Sequence, residues 1–223
     1  MTVNTGPADT ICTALRFLVR AGLLDYNGHA SLRNDTGFLI NSGASNRAEP
    51  RVSDICQVAL DGSLIRGPKP PNEHHLHAAI YQARPDVQAI MHSHPKWICT
   101  LTSAGRTLEP VMPQAALVDG LPSYPHAHSI STASRGADVA SLMGFARGVL
   151  LMGHGIVMTG PDLLTACVTA LYAEQTAERQ VLAALLGGAK PLPDAELAEY
   201  STTLDTPGLF AKCWEFYLSG QKE

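Results

Sequence analysis

The sequence predicts a layered α/β or α+β domain, in which helices lie on the faces of a mixed, largely antiparallel sheet. Two observations predict this class. The strand-like stretches of the first third are joined by short turn segments, Asn34–Gly37 and Asp61–Gly62, which is typical of β-hairpins. The later strand-like stretches are separated by helical stretches, which is typical of helices that pack on a sheet.

The composition fits a single enzyme-sized domain. With 223 residues, 45% of them hydrophobic, we expect one domain over 1–223 with a helical tail at about 190–223. The net charge of −4 without a basic block argues against a nucleic-acid or membrane-surface partner. No apolar run reaches the ~18 residues of a membrane span. The five scattered cysteines and the polar stretch Met1–Asp9, which lacks a signal-peptide core, predict a reduced, cytoplasmic protein.

Two hairpins between two helices are predicted for the first part of the chain. The expected elements are a helix over Ala8–Ala21, strands over Ala30–Arg33, Phe38–Asn41, Val58–Leu60 and Ser63–Ile65, and a helix over Glu73–Ala83. The first helix has apolar residues at helical spacing and ends before Gly22. Asn72 is placed to cap the second helix, which would put Glu73 and His77 one turn apart on one face.

The second part predicts three strands, with helices between the first and the second and after the third. The expected elements are a strand over Val87–His94, a short helix over Trp97–Thr102, an irregular segment over Pro110–Pro125, a helix over Asp138–Ala146, strands over Gly148–Met152 and Ile156–Met158, a helix from Pro161 to about Leu186, and one or two short helices within Asp194–Leu218. Pro95 ends the first of these strands because it has no N–H for the ladder. Pro161 suits the first turn of the long helix.

Histidines follow the apolar run Val87–Met91 directly. In extended backbone, residues i and i+2 project to the same side, so His92 and His94 can direct two imidazoles to one point. Such a pair alone is more often two surface histidines. Two further clusters, Glu73 with His77 and His154 between two glycines, favour a shared site in a chain that has only nine histidines. His126 and His128 show the same spacing, but loop histidines beside prolines are usually solvent-facing.

Three neutral imidazoles, His92, His94 and His154, would hold a metal ion with an open coordination position, which is the catalytic arrangement. With no sulfur ligand, the ion could be zinc, manganese, iron or cobalt. It would act as a Lewis acid on a substrate oxygen. Glu73 would transfer protons or serve as a fourth ligand. To act as an acid at neutral pH, its pKa would have to rise toward neutrality.

These motifs together resemble the class II aldolase/adducin family over about Ala8 to Leu186. The matching residues are Glu73 with His77, the His92–His94 pair after its apolar run, and Gly-His154-Gly. The resemblance implies a three-layer α/β/α fold around a mostly antiparallel sheet and a homotetramer with active sites between subunits. It also implies one divalent metal ion per subunit on the three histidines, with Glu73 as the catalytic acid/base.

The chain departs from the phosphate-using aldolases of that family at the substrate side. They carry Gly-Asn where this chain has Gly28-His29, and a Ser-Ser pair where it has Pro71-Asn72. Ser42-Gly43 matches a phosphate-loop element, within a polar loop that either presents free N–H groups to anions or is a plain surface turn. The Gly-His-x-Ser form, with Arg33 two residues later, resembles the decarboxylase branch instead.

We therefore predict a metal-dependent carbon–carbon lyase that decarboxylates a hydroxylated aromatic diacid, such as a dihydroxyphthalate. Glu73 or His29 would be the catalytic acid, and Arg47 is a further candidate for binding a carboxylate. The predicted substrate-binding residues are Ser31, Arg33, Ser42, Gly43, Ser45, His77 and Tyr124. One alternative is an aldolase that cleaves a ketose, phosphorylated or not, using Tyr124 or Tyr217 of a second subunit. Another is a non-catalytic adducin-like module, which would be expected to lose the metal ligands.

Overall fold

The computed structural model describes residues 6–219; the ends of the predicted 1–223 domain lie outside them. The elements in chain order are α1 (Pro7–Arg20), β1 (His29–Asn34), β2 (Gly37–Asn41), β3 (Ile55–Val58), β4 (Leu64–Arg66), α2 (His74–Ala83), β5 (Ala89–Ser93), α3 (Lys96–Ser103), β6 (Ser123–Tyr124), α4 (Ala133–Met143), β7 (Gly148–Leu151), β8 (Gly155–Gly160), α5 (Leu163–Ala184), α6 (Asp194–Thr203) and α7 (Pro207–Leu218). Short 3-10 turns lie at Val52–Asp54 and Pro113–Leu117.

The eight described strands form one sheet in the order β4-β3-β2-β1-β5-β8-β7-β6. The neighbouring strands are antiparallel apart from β6 and β7, which are parallel. The prediction of a mixed, mostly antiparallel sheet is confirmed. The parallel strand β6 lies within the stretch that the sequence indicated as irregular, since two residues give no periodicity to read.

Helices cover both faces of the sheet. Along β5, Ala89 and Met91 join one hydrophobic cluster with residues of α1, α3 and α5, whereas Ile90 joins a second cluster with residues of α2 and α4. This alternation follows from the two-residue period of a strand that is buried on both sides. The three-layer α/β/α prediction is therefore confirmed.

Several helix ends differ from the predicted ones. Helix α2 begins at His74 with Glu73 in the cap position, so Asn72 is not the cap and Glu73 lies outside the helix. Helix α4 begins at Ala133, well before the predicted Asp138, because the Thr132 hydroxyl accepts the Arg135 N–H and caps it there. The long helix α5 starts after Pro161, with Asp162 as its cap. The tail holds two helices, as predicted.

The cysteines and the helices agree with two expectations from composition. All five cysteines are free, and Cys12, Cys56 and Cys167 are buried, so the prediction of free thiols is confirmed, although two are only partly buried. None of the helices within residues 6–219 is both long enough and apolar enough to span a membrane.

A buried carboxylate holds the start of α3. The Oε1 and Oε2 atoms of Glu174 in α5 accept hydrogen bonds from the backbone N–H groups of Trp97 and Ile98, at 2.8 and 2.9 Å. The first N–H groups of a helix have no partner within it, and a negative charge there is favourable to the helix dipole. Because α3 follows His94 and Pro95 directly, this contact sets the path of the chain as it leaves β5.

We expect Glu174→Ala to lower the free energy of unfolding by roughly 2–4 kcal/mol, since two buried N–H groups lose a charged acceptor. Glu174→Gln keeps one carbonyl acceptor and should lose less. Urea unfolding followed by circular dichroism measures both changes. Glu178→Gln, one turn further along α5, serves as the matched control and should change stability by less than about 0.5 kcal/mol. Equal effects at both positions would contradict this role for Glu174.

Candidate active site

One carboxylate and three imidazoles meet at the end of β5. The ligand-type atoms of Glu73, His92, His94 and His154 all lie within 4.8 Å of one another. The His92 Nε2 atom is 3.1 Å from His94 Nε2 and 3.3 Å from Glu73 Oε2, and His154 Nε2 is 3.7 Å from Glu73 Oε1. The structure thus brings together the three predicted metal ligands and the predicted acid/base.

Close approach of β8 to β5 places His154 beside the other two histidines. The strands are antiparallel, and Ser93 pairs with Ile156. A Cβ atom on Gly155 would lie 2.1 Å from the Ser93 carbonyl oxygen, which real side chains do not tolerate. Glycine at this position lets His154 turn toward His94, with ring centroids 4.9 Å apart.

A second glycine brings His29 to the same place. Gly28 has φ +93°, and a Cβ atom there would lie 2.7 Å from the His92 carbonyl oxygen. His29 follows and pairs with His92 across β1 and β5, with ring centroids 4.9 Å apart. Its Nε2 atom lies 3.5 Å from Glu73 Oε2. His29, predicted as a catalytic residue, therefore lies against Glu73.

Backbone contacts and burial prepare the imidazoles for ligation. The Nδ1 atom of His92 lies 3.0 Å from the Ile156 carbonyl oxygen, which can only accept, so Nδ1 carries the proton and Nε2 keeps its lone pair. Burial, together with the neighbouring His92 and His154, lowers the pKa of His94 to about 4. The imidazole is therefore neutral at pH 7, as a metal ligand has to be.

Glu73 is held as a carboxylate. Its Oε1 atom accepts hydrogen bonds from the Ser129 hydroxyl and the Ile130 N–H, at 3.0 and 2.9 Å. Burial alone would raise its pKa, but the neighbouring His29 and His92 side chains outweigh burial and lower the pKa below its usual value. To act as an acid at neutral pH, Glu73 would need a raised pKa, and these surroundings lower it instead.

A cavity of about 520 Å³ opens beside this cluster. Its walls combine the cluster with the loops after β2 and before α2. The lining residues are Asn27, Gly28, His29, Ser42, Gly43, Ala44, Arg47, Pro68, Lys69, Pro70, Pro71, Asn72, Glu73, His94, Ser129 and His154. Arg47 and Lys69 bring positive charge to a cavity with Glu73 as its acidic residue. Such a cavity favours an anionic small molecule.

Four of the predicted substrate-binding residues are buried beside the cavity and do not line it. Ser31 and His77 hydrogen-bond to each other, at 2.7 Å, behind His29. The Ser45 hydroxyl bonds the Ser42 carbonyl oxygen at 3.0 Å. The Tyr124 hydroxyl lies 3.3 Å from His128 Nε2. The polar groups of these four side chains thus have hydrogen-bond partners within the protein.

Arg33 is also directed away from the cavity. Its guanidinium donates to the backbone carbonyl oxygens of Val87, Tyr81 and Arg84, at 2.8, 2.6 and 3.0 Å. It ties β1 to the end of α2 and to the turn before β5. Arg47, named only as a further candidate, is the arginine that lines the cavity.

Two N–H groups of the loop after β2 are engaged within the protein. The Ser42 N–H donates to the Asp54 carbonyl oxygen at 2.8 Å, and the Gly43 N–H donates to that of Lys69 at 3.2 Å. Neither of these two N–H groups is therefore free for an anion, although the alternative of an anion-binding loop required free N–H groups. Ser42 and Gly43, both predicted to bind substrate, line the cavity.

The donor set suits a divalent metal ion. His92, His94 and His154 offer three nitrogens with room for a further ligand, which is the composition of catalytic zinc sites, and Glu73 is within reach as a fourth. Contacts behind these groups orient them, because His92 Nδ1 donates to a backbone carbonyl oxygen and Glu73 accepts from the Ser129 hydroxyl.

Sequence comparison assigns the chain to a family of lyases. Residues 9–181 match the Class II Aldolase and Adducin N-terminal domain, and the chain belongs to this family. It is 32% identical to a 3,4-dihydroxyphthalate decarboxylase of Arthrobacter keyseri, over 88% of this chain and 86% of that one. It is 28% identical to an L-fuculose phosphate aldolase of Methanococcus maripaludis, over 68% and 82% of the two chains. Both relatives are carbon–carbon lyases, and the prediction of a lyase is confirmed at this level.

Structural comparison supports the same fold. The L-fuculose 1-phosphate aldolase of Glaciozyma antarctica superposes with a TM-score of 0.83 at 22% identity, covering 96% of this chain and 87% of the other. A second L-fuculose 1-phosphate aldolase superposes with a TM-score of 0.82 at 24% identity, covering 90% and 96%. At these identities, the likeness shows the fold.

Some residues of the site carried no readable signal in the sequence. Ser129 and Ile130 bind Glu73 from a loop that is more than fifty residues away in the chain. Tyr81 lies behind His77 and Ser31, and its helical position looked like that of an ordinary core residue. Lys69 reaches the cavity because the proline-rich connector folds along its rim.

We expect the metal-free protein to lose stability as the pH falls from about 6.5 to about 4. Burial lowers the pKa of His29 from 6.5 to about 4 and that of His77 well below 6.5. In this range the unfolded chain takes up protons on both residues and the folded chain does not. The free energy of unfolding should therefore fall by about 1.4 kcal/mol per pH unit for each of them.

Urea unfolding at several pH values, with a chelator present, measures this slope. His77→Gln removes one of the two groups and should make the slope shallower by about one proton. His126→Gln, at an exposed loop position, should leave the slope unchanged. An unchanged slope in His77→Gln would contradict the assignment of His77 as a neutral buried residue.

Proposed function

We propose that the protein is a metal-dependent decarboxylase of a hydroxylated aromatic dicarboxylic acid, such as a dihydroxyphthalate. The observation that carries the proposal is the cavity in which His29 and Arg47 join the metal-type cluster around Glu73. The relatedness to 3,4-dihydroxyphthalate decarboxylases, which extends over most of both chains, supports the same substrate class.

One divalent ion per subunit, zinc, manganese, iron or cobalt, would be held by His92, His94 and His154. When bound, it would stabilise the negative charge that develops on a substrate oxygen. Glu73 Oε2 lies 3.3 Å from His92 Nε2, so the carboxylate lies beside the histidines that would hold the ion. There it is placed to accept a proton from a ring hydroxyl.

Arg47 is the residue that we assign to the second carboxylate of the substrate. Its Nε donates to the Gly28 carbonyl oxygen at 3.1 Å, and its Nη1 donates to those of Gly43 and Ser45. Among residues 6–219, no acceptor occupies Nη2, so this edge of the guanidinium is available to a ligand in the cavity. A planar guanidinium matches a carboxylate, and Ser42 supplies a hydroxyl beside it.

Glu73 and His29 would carry the proton chemistry. Glu73 takes the proton of the ring hydroxyl as the substrate binds and returns it to the ring carbon that bears the carboxylate. The bond from that carbon to the carboxylate then breaks, its electron pair returns to the ring, and CO₂ leaves. Water supplies the one proton that the overall reaction consumes. His29, 3.5 Å from Glu73, donates a hydrogen bond to the anionic substrate.

An aldolase acting on a ketose phosphate is the second candidate. It is favoured by the L-fuculose phosphate aldolases among the relatives and by the Ser42 and Gly43 surface in the cavity. The N–H groups of Ser42 and Gly43 are occupied, which favours the decarboxylase, because a phosphate-binding loop needs free N–H groups. Tyr217 packs against Phe17, so a tyrosine of a second subunit would have to come from elsewhere in the chain.

We further propose that the protein is a cytoplasmic homotetramer whose cavities are completed by a neighbouring subunit. Tyr26 is 82% exposed and stands next to Asn27, which lines the cavity. A large aromatic side chain so exposed at the rim of a site suits a subunit contact.

Purified protein supplied with 3,4-dihydroxyphthalate should release CO₂ and form a dihydroxybenzoate. Manometry and chromatography of the aromatic product follow the two products independently. L-Fuculose 1-phosphate serves as the comparison substrate, with release of an aldehyde as its signal. Cleavage of the sugar phosphate without decarboxylation would reverse the choice between the two functions.

Metal analysis tests the ligand set. The wild-type protein should carry about one divalent ion per chain, and His94→Ala should lose most of it together with more than about 99% of the activity. His126→Ala is the matched control and should keep both. Glu73→Gln should retain the ion and lose activity by roughly 10²–10⁴-fold. A full metal load in His94→Ala would contradict the site.

A further inference from the structure

A continuous chain of hydrogen bonds leads from His29 into the core of the protein. His29 Nδ1 lies 2.7 Å from His77 Nε2, and His77 Nδ1 lies 2.7 Å from the Ser31 hydroxyl. The Ser31 hydroxyl lies 2.8 Å from that of Tyr81. All four side chains are buried, with exposures of 2% or less. Such a network is costly unless every member has a partner, so its order is part of the site.

The imidazoles in this chain are neutral. Both rings are buried, with 2% and 0% of their surface exposed, and burial disfavours a positive charge on an imidazole. Each ring then carries a single proton on one of its two nitrogens. Since Nδ1 of His29 faces Nε2 of His77, one of these two nitrogens donates and the other accepts. The hydrogen bonds can therefore run in only two directions, toward Glu73 or away from it.

Glu73 selects the direction. Its carboxylate already accepts hydrogen bonds from Ser129 and Ile130, and its Oε2 atom faces His29 Nε2 at 3.5 Å. A lone pair on that nitrogen would be repelled by the carboxylate, whereas an N–H would be attracted. The opposite direction would end at the Gln88 carbonyl oxygen, which lies 3.5 Å from the Tyr81 hydroxyl, at the limit of a hydrogen bond.

We propose that Tyr81, Ser31 and His77 are positioning residues that hold His29 with its proton on Nε2, the nitrogen that faces the cavity. In this arrangement Tyr81 donates to Ser31, Ser31 donates to His77 Nδ1, and His77 Nε2 donates to His29 Nδ1. The Nε2 atom of His29 is buried and has no hydrogen-bond partner among residues 6–219, which fits a donor reserved for a ligand.

The far end of the chain is held by Arg33. Its guanidinium lies 4.7 Å from the centre of the Tyr81 ring and donates to the Tyr81 carbonyl oxygen. Arg33 thereby fixes the side chain and the backbone of the last positioning residue. The pairing of a histidine at position 29 with a serine two residues later also has a reason, because both project from β1 toward α2.

The consequence for activity rests on the proposed function. A decarboxylase that binds its substrate through the His29 N–H needs that donor in every turnover. Loss of this chain of hydrogen bonds would let the His29 proton move from Nε2 to Nδ1. A lone pair on His29 Nε2 would then face an anionic substrate. None of Tyr81, Ser31 and His77 is among the proposed metal ligands, so we expect their loss to leave the metal bound.

Solid-state NMR of protein labelled with ¹⁵N-histidine and loaded with zinc tests the proposal directly, because protonated and unprotonated imidazole nitrogens differ in chemical shift. The His29 signals are assigned by their loss in His29→Gln. We expect Nε2 of His29 to be protonated and Nδ1 to be unprotonated. The reverse pattern in the wild-type protein would overturn the proposal, whatever substrate the enzyme uses.

Variants of His77 connect this state to turnover. His77→Leu removes the donor and should shift His29 to the Nδ1-protonated form, with kcat for 3,4-dihydroxyphthalate reduced by about tenfold or more and the zinc content unchanged. His77→Gln restores an N–H donor and should recover most of kcat. His75→Gln, on the same helix but outside the chain, is the control. Ser31→Ala, which breaks the chain one step further away, replaces His77→Leu if that variant does not fold.

These results separate the two proposals. If the wild-type protein does not decarboxylate the diacid but His29 carries its proton on Nε2, the proposed function is wrong. The positioning role of the hydrogen-bonded residues is still supported. If His77→Leu and Ser31→Ala keep both kcat and the wild-type His29 signals, the chain has no positioning role, even in an active decarboxylase.

Discussion

The site depends on the pairing of β5 with β1 on one side and β8 on the other. This pairing brings His29, His92 and His154, which are far apart in the chain, to one end of the sheet. A shift of one residue in the register would turn the histidines of β5 to the opposite face. The register is held because Ala89 and Met91 are buried under α1 and α5. Apolar packing on one face of the strand therefore sets the chemistry on the other.

This strand pairing gathers neutral imidazoles around one carboxylate. Burial disfavours charge on His29, His77 and His94, while Glu73 keeps its negative charge because N–H and O–H groups point at it. A cluster of uncharged nitrogen donors beside an anion is the surrounding in which a divalent cation is favourable. Two members of this cluster are held by contacts outside it, since His92 bonds the Ile156 carbonyl oxygen and Glu73 bonds Ser129 and Ile130.

The sequence predicted the layers, the hairpins and the metal-type residues because their signals are local. An apolar run followed by His92 and His94 can be read within a single strand, and glycines on both sides of His154 mark a close approach of the backbone. The exact starts of α2 and α4 were harder to predict, because several residues near Thr132 could also have capped the helix. The hydrogen-bond partners of Glu73 could not be predicted from the sequence, because contact between Glu73 and Ile130 depends on the packing of the whole sheet.

The two arginines show why residue type alone does not define a binding role. Arg33 and Arg47 are both near the site in sequence, and both bind backbone carbonyl oxygens. The Arg33 guanidinium donates to carbonyl oxygens at the end of α2 and in the turn before β5, whereas one edge of the Arg47 guanidinium is left for the cavity. A phosphate and a carboxylate are both anions, so the sign of the charge does not choose between the two candidate substrates. Geometry does distinguish them: a planar guanidinium edge beside the occupied N–H groups of Ser42 and Gly43 matches a flat carboxylate better than a tetrahedral phosphate.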